Sequence, residues 1–211
     1  MRQITVILVY IVGMAFADVK SAFEATEIVP DALDNAPLKK MEVKYGGRAM
    51  NIGDDFTPTE TKDIPEIHYE YESGCFYTLI KIDLDPPSRR TPKFREFQHW
   101  IVGNIPEDRI SEGEVFSEYV GAAPPHDAGA HRYVFLVYKQ PGKLNFNEKH
   151  LGDDRLDGRA NFSAKKFAVK YQLGEPIAGN MYQAVWDDYV PIFYKHLGVS
   201  PSETFSETGI N

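Results

Sequence analysis

"CFYTLIKIDLDPP", residues 75–87, decides the fold. The run is enriched in β-branched and aromatic side chains and ends in a Pro-Pro pair, the pattern of a long strand closed by a turn. Side chains alternate along a strand, so Phe76, Ile80, Ile82 and Leu84 form one apolar face. Asp83 and Asp85 then fall together on the opposite face, with Cα atoms about 7 Å apart. Two acids therefore close a well-anchored strand, directly before prolines that break its ladder. The competing reading is a solvated turn, where Asp is common.

Further strands lie on either side. Met41, Val43 and Tyr45 alternate with charged neighbours before Gly46-Gly47 turns the chain. Ile67, Tyr69 and Tyr71 alternate with His68 and Glu70. "QHWIVGNI" (98–105) and "HRYVFLVYKQ" (131–140) follow, with Pro86-Pro87, Pro106 and Pro124-Pro125 in the loops between. Short strands separated by turn signals predict a mainly β, antiparallel sandwich. Helices come late. Asn161 is the expected cap of a helix whose apolar positions Ala164, Phe167, Ala168 and Tyr171 repeat at helical spacing, with Gly174 ending it. A second short helix is expected from Pro191 to Gly198. Residues 18–37 read as an irregular lead-in with one short helix.

Composition sets the limits. With 211 residues, 43% hydrophobic and 26% charged, the chain has the balance of one globular domain. Its start reads as a secretory leader: Arg2, then the apolar run "ITVILVYIVGMAF", then Ala15-Phe16-Ala17. The run is shorter than the ~18–20 apolar residues a membrane-spanning helix needs. The expectation is a signal peptide over 1–17 with cleavage after Ala17, a domain over 18–200, a polar tail over 201–211, and an extracellular protein with no transmembrane segment. Losing Arg2 takes the net charge from −8 to −9, which argues against nucleic acid or anionic membranes as partners. Cys75 is the only cysteine, so no internal disulfide forms, and its place at the head of an apolar strand predicts a buried, inert thiol. Asn161-Phe162-Ser163 is a glycosylation sequon, usable if the chain is exported.

The second informative stretch is "GAAPPHDAGAHRYVFLVYKQ", residues 121–140. His131 and Tyr133 share a face at the start of a strong strand, behind a loop of small residues and prolines. His99 opens its own strand after a loop. Taken singly, each is read as structural more readily than as functional. Polar groups at three strand ends beside proline loops would form a small polar pocket with apolar walls if those ends converge.

"YTLIKIDLDPPSRRTPKFREFQHWIVGNIP", "EYVGAAPPHDAGAHRYVFLVYKQ" and "YQAVWDDYVPIFYKHLG" closely resemble the phosphatidylethanolamine-binding protein family, over about Met41 to Gly198. The resemblance implies a Greek-key β-sandwich with short peripheral helices and a C-terminal helix. It also implies a pocket for phosphate or a phospholipid head group, a cis bond before Pro87, and no typical enzyme role. Some members inhibit serine proteases and others regulate kinases. The family's acidic motif falls on Asp83-Leu84-Asp85-Pro86-Pro87, its strand histidine on His99, and its Gly-x-His-Arg-Tyr on Gly129 to Tyr133. A rim tyrosine of the last helix falls on Tyr194. Leu84 replaces a proline, Gln98 a second histidine, and Ala123 a glycine; the alanine methyl is expected to narrow the pocket or restrict its loop.

The chemistry stands beside that resemblance. A phosphate needs donors, and His131, His99, the Tyr133 hydroxyl and the main-chain N–H groups of Ala122-Ala123 are the candidates. Asp83 is expected to orient a histidine and raise its pKa, and Asp85 to bond loop N–H groups or meet a ligand ammonium. Arg89, Arg90 and Arg95 read as solvated basic surface that could also guide an anion. The ligand-binding set is thus Asp83, Asp85, Pro87, His99, Ala123, His131, Tyr133 and Tyr194, with no metal, cofactor or catalytic residue. The function read from this is a non-catalytic binder of phospholipid head groups or small anions. The alternatives are a serine protease inhibitor acting through protein contacts, and a metal-dependent enzyme using the Asp/His cluster.

Overall fold

The structure, a computed structural model, describes residues 19–197. The expected leader, its cleavage point, Gly198 and the polar tail lie outside the described residues. Ten strands build two sheets: β1 (Lys39–Lys40), β2 (Glu42–Tyr45), β3 (Arg48–Ala49), β4 (Asp54–Asp55), β5 (Glu66–His68), β6 (Phe76–Asp83), β7 (Phe97–Pro106), β8 (Glu114–Ser117), β9 (His131–Lys139) and β10 (Ala178–Ala184). The large sheet runs β1-β10-β9-β6-β7-β8, with β4 also on β10, and the small one runs β3-β2-β5. Consecutive β6, β7 and β8 are joined by β9, which returns beside β6. That order is the Greek key. Its internal pairings, β6 with β7, β7 with β8, β6 with β9 and β9 with β10, are antiparallel. The fold is mainly β, as expected.

The alternation in β6 and β9 sorts two cores rather than a core and a solvent face. Tyr77 and Leu79 of β6 and Tyr133, Phe135 and Val137 of β9 meet Val43, Tyr45 and Ile67 of the small sheet. Ile80, Ile82 and Leu84, with Val134, Leu136 and Tyr138, meet Phe23, Ile28 and Phe167 on the outer side. Each such fully buried side chain contributes about 1.5–3 kcal/mol. The outer face is covered by the lead-in, helical over residues 19–25 (α1) with a further irregular turn at Ile28–Asp31 (α2), and by α3 (Ala164–Lys170). A third cluster of Phe97, Val120, Ala123, Leu156, Val190, Phe193 and Tyr194 wraps one end of the sheet, where α4 (Val190–His196) docks with Pro191 in its first turn.

Several local expectations need correction. The cap of α3 is Ser163, whose hydroxyl accepts from the Lys166 N–H, while Asn161 stands two residues earlier in a left-handed turn with φ 59°. That helix stops at Lys170, with Tyr171 as its cap, short of Gly174. β5 ends at His68, and Tyr71 is exposed, because only Glu66, Ile67 and His68 find partners on β2. Cys75 precedes β6 and is half-buried at the edge of the first core rather than enclosed. The peptide bond before Pro87 is cis.

Candidate functional site

Antiparallel pairing sets the C-terminal end of β6 between the N-terminal ends of β7 and β9. Asp83 lies opposite Phe97 on one side and Tyr133 on the other. His99 and Tyr133 follow on the same face, their rings in edge contact at 5.1 Å. Asp83, Pro86, Phe97, His99, Ala123, Tyr133, Leu156, Phe193 and Tyr194 enclose a cavity of about 20 Å³, room for roughly one water molecule. Residues from β6, β7, β9, the 121–125 loop and α4 thus come together around this cavity.

His131 stands behind this cavity. Its Nδ1 is 2.7 Å from Asp83 Oδ2 and its Nε2 is 3.2 Å from the Pro87 carbonyl oxygen. Both partners are acceptors, so both ring nitrogens donate and the imidazole is held as a cation. Burial alone would lower its pKa, but the Asp83 carboxylate, the hydrogen bond to it, Asp85 and the Pro87 carbonyl together raise it. The expected pairing with Asp83 is therefore present, but its cost is that His131 has no N–H left for a ligand. Pro87 contributes a carbonyl to His131, and Pro86 lines the cavity.

Asp85 is not in the site. β6 ends at Asp83, whose Oδ1 accepts the Asp85 N–H at 2.8 Å, and this turn sends Asp85 to the outer face. There it accepts from the Arg132 main-chain N–H, Nε and Nη2, and pairs with Arg95. Burial would raise its pKa, and the Arg132 bonds and charge hold it below the ordinary value. Arg132 also reaches Asp31 and the Thr26 carbonyl, and Arg95 reaches Asp31, so this network clasps the lead-in. Arg89 is likewise paired with Glu27. Among the described residues no three of Asp83, Asp85, His99 and His131, or of any other such side chains, form a group that could hold a metal ion.

The cavity's own polar groups are His99, Tyr133, Asp83 and the Ala123 main chain. His99 donates Nδ1–H to the Val120 carbonyl at 3.0 Å, and burial, with Lys81 nearby, pushes its pKa well down. The Tyr133 hydroxyl is fully buried and faces the Ala123 main chain, with no side-chain hydrogen-bond partner among the described residues. Tyr194 donates its hydroxyl to the Ala123 carbonyl at 2.7 Å and lines the cavity. Gln98 points away, to the Gly158 carbonyl.

The family profile described as phosphatidylethanolamine-binding protein matches residues 31–183. The chain belongs to this family. It is 40% identical over 185 residues to "Putative odorant-binding protein A5" of Drosophila melanogaster, covering 87% of this chain and 88% of that one. Among solved structures it is similar to the solution structure of CG7054, with 43% identity, TM-score 0.66, and 81% and 97% of the two chains covered. In fold it is similar to the phosphatidylethanolamine-binding protein of Plasmodium vivax, with 22% identity, TM-score 0.69, and 80% and 98% covered. A similar likeness in fold extends to a carboxypeptidase Y inhibitor seen with its cognate proteinase, with 23% identity, TM-score 0.70, and 82% and 97% covered. Among the described residues of this family member, no helix is long and apolar enough to cross a membrane.

Sequence reasoning missed three buried polar residues around the site. Lys81, two residues before Asp83, is fully buried, and a lone cation within "LIKID" was the available signal. Arg132 was hidden by its neighbours, His131 and Tyr133, whose side chains face the other way. Arg159 is fully buried and ties the 152–159 loop to the sheet through the Gln98 and Glu118 carbonyls; nothing in its local sequence marks it.

Proposed function

We propose that this chain is an exported, non-catalytic binder of small phosphate-bearing ligands of the phospholipid head-group kind, taken at the cavity between Asp83, His99, Ala123, Tyr133 and Tyr194. The observation that carries this reading is the Tyr133 hydroxyl, buried at a cavity wall with no side-chain hydrogen-bond partner among the described residues. A buried hydroxyl without a partner costs about 1–3 kcal/mol, which a ligand oxygen accepting its proton would recover. The cavity admits about one water, so a phosphate enters by displacing the Tyr194 hydroxyl from the Ala123 carbonyl, and Tyr194 acts as the rim. A ligand ammonium would meet Asp83. Family membership supports the ligand class. The leader-like start and the relative named for odorant binding support export, and Asn161 is exposed as glycosylation requires.

Calorimetric titration with phosphoethanolamine and inorganic phosphate tests the site. Saturable binding is expected, weakened about tenfold by Tyr133→Phe, the worth of one hydrogen bond, and strengthened by Tyr194→Phe. Absence of saturable binding, or no effect of Tyr133→Phe, overturns it. Protein recovered from the culture medium should begin at Asp18. Proteinase inhibition belongs to the carboxypeptidase Y inhibitor, which this chain resembles in fold.

A further inference from the structure

A second concavity lies between β5, at the edge of the small sheet, and the β7–β8 corner, with a single 3-10 turn, Ile110–Glu112, along its side. It is a groove of about 510 Å³, against about 20 Å³ for the cavity at Tyr133, and the two share no residue. Small-molecule sites typically occupy about 300–1,000 Å³. Ile64, Ile67, Trp100, Val102, Ile110 and Val115 make the apolar lining. Ile64 and Val115 are 62% and 38% exposed, so apolar surface reaches water from the β5 side and from the β8 side. Among the described residues β5 pairs with β2 alone, and no segment lies across the groove.

The charged part of the lining is acidic. Three carboxylates, Glu66, Asp108 and Glu112, stand there with one guanidinium, Arg109. Arg109 is committed: its Nε donates to Glu112 at 3.0 Å, and it also pairs with Glu107. His68, the remaining basic group of the lining, has Nδ1 3.3 Å from Asp108 Oδ2. Glu66 has no ion pair among the described residues, although Lys44 stands opposite it on β2. We propose that this groove is a second binding site, for a small apolar molecule that ends in an ammonium group. The hydrocarbon part lies on Trp100 and Val102, and the charge meets Glu66 and its neighbouring carboxylates. Burial of the hydrocarbon supplies affinity, and charge complementarity supplies the selection. A carboxylate-ended molecule of the same size meets like charges, and a neutral alcohol leaves Glu66 unpaired. The site is independent of the phosphate reading given above.

The test uses Trp100 as its reporter. The chain has two tryptophans, Trp100 and Trp186, so Trp186→Phe leaves Trp100 as the sole indole signal. That protein is titrated at pH 7 with octylamine, octanol and octanoate; an alkyl ammonium, like that of lysine with its pKa of about 10.4, stays charged there. Octylamine should change Trp100 fluorescence saturably and bind at least about tenfold more tightly than octanoate, with octanol between them, as one attracted and one repelled charge at a partly screened rim imply. Glu66→Gln should weaken octylamine by up to about fivefold and leave octanol unchanged. Val115→Lys, at an exposed position, should abolish octylamine binding while urea unfolding shows the fold intact. If Trp186→Phe does not fold, the indole N–H signal of Trp100 in the wild type, read by NMR, gives the same titration. Octanol or octanoate binding as tightly as octylamine overturns the proposal, as does the absence of a saturable change. Displacement of octylamine by inorganic phosphate would put its ammonium at Asp83 and also overturns it. So does a dimer, seen by sedimentation, that octylamine fails to dissociate, since a second copy then covers the groove.

Discussion

Glu96→Gln should remove a large pH dependence of stability. Glu96 is buried just before β7, and its Oε2 accepts the Ala164 N–H at 2.7 Å at the start of α3. Burial pushes its pKa from 4.5 to about 7, with the Ala164 bond and Arg95 pulling back only in part. Between those values the folded chain keeps a proton that the unfolded chain has released, so stability falls as pH rises through the window. The gap of about 2.5 pH units is worth on the order of 3 kcal/mol at about 1.4 kcal/mol per unit. Glutamine keeps an acceptor for Ala164 and carries no charge. The variant should match the wild type near pH 4 and exceed it by up to about 3 kcal/mol at pH 8. Urea unfolding followed by tryptophan fluorescence at several pH values measures the difference, and groups common to both chains cancel. Parallel stability curves for the two proteins across pH 4 to 8 would refute the reasoning.

Asp83→Asn should lower the His131 pKa, read by NMR titration. The stabilisation that the raised value carries is present in full below the unfolded value of about 6.5 and is lost as pH rises through the folded one, and it should vanish in the variant. Arg132→Met leaves the buried Asp85 carboxylate with Arg95 as its one remaining cation and should cost about 3 kcal/mol in denaturant unfolding, with Arg132→Met/Asp85→Leu recovering most of it; equal losses in single and double variants would contradict this. Gly121→Ala would set a methyl 2.7 Å from the Thr61 carbonyl oxygen and 3.0 Å from Lys62 Cα, both main chain. It should cost about 1–3 kcal/mol and, by moving the Ala122-Ala123 wall, weaken phosphate binding; an unchanged melting temperature would count against the tight contact.

The strands were legible because β-branched and aromatic runs between prolines leave little choice of structure, and alternation placed His131 with Tyr133 on one face of their strand. Alternation failed at Asp85 because it holds only while the strand lasts, and the Asp83 side chain ends the ladder by bonding the next turn. It also implied one buried face where there are two, since the lead-in and α3 that cover the outer face are remote in sequence. Asn161 and Ser163 are both good caps, and only tertiary contact, the Glu96 carboxylate at Ala164, selects the register that favours Ser163. The donor or acceptor character of the imidazoles was not legible at all. It depends on the Val120 and Pro87 carbonyls, whose direction follows from loop geometry.

The clasp that Arg132 makes on the lead-in has a practical corollary for recombinant work. A shortened protein starting at Asp31, where the family match begins, would uncover Val19, Phe23 and Ile28 contacts on the sheet's outer side and delete the Thr26 oxygen that Arg132 grips. Insolubility of such a fragment would reflect a stripped hydrophobic flank, one residue along β9 from His131, and would carry no information about ligand preference.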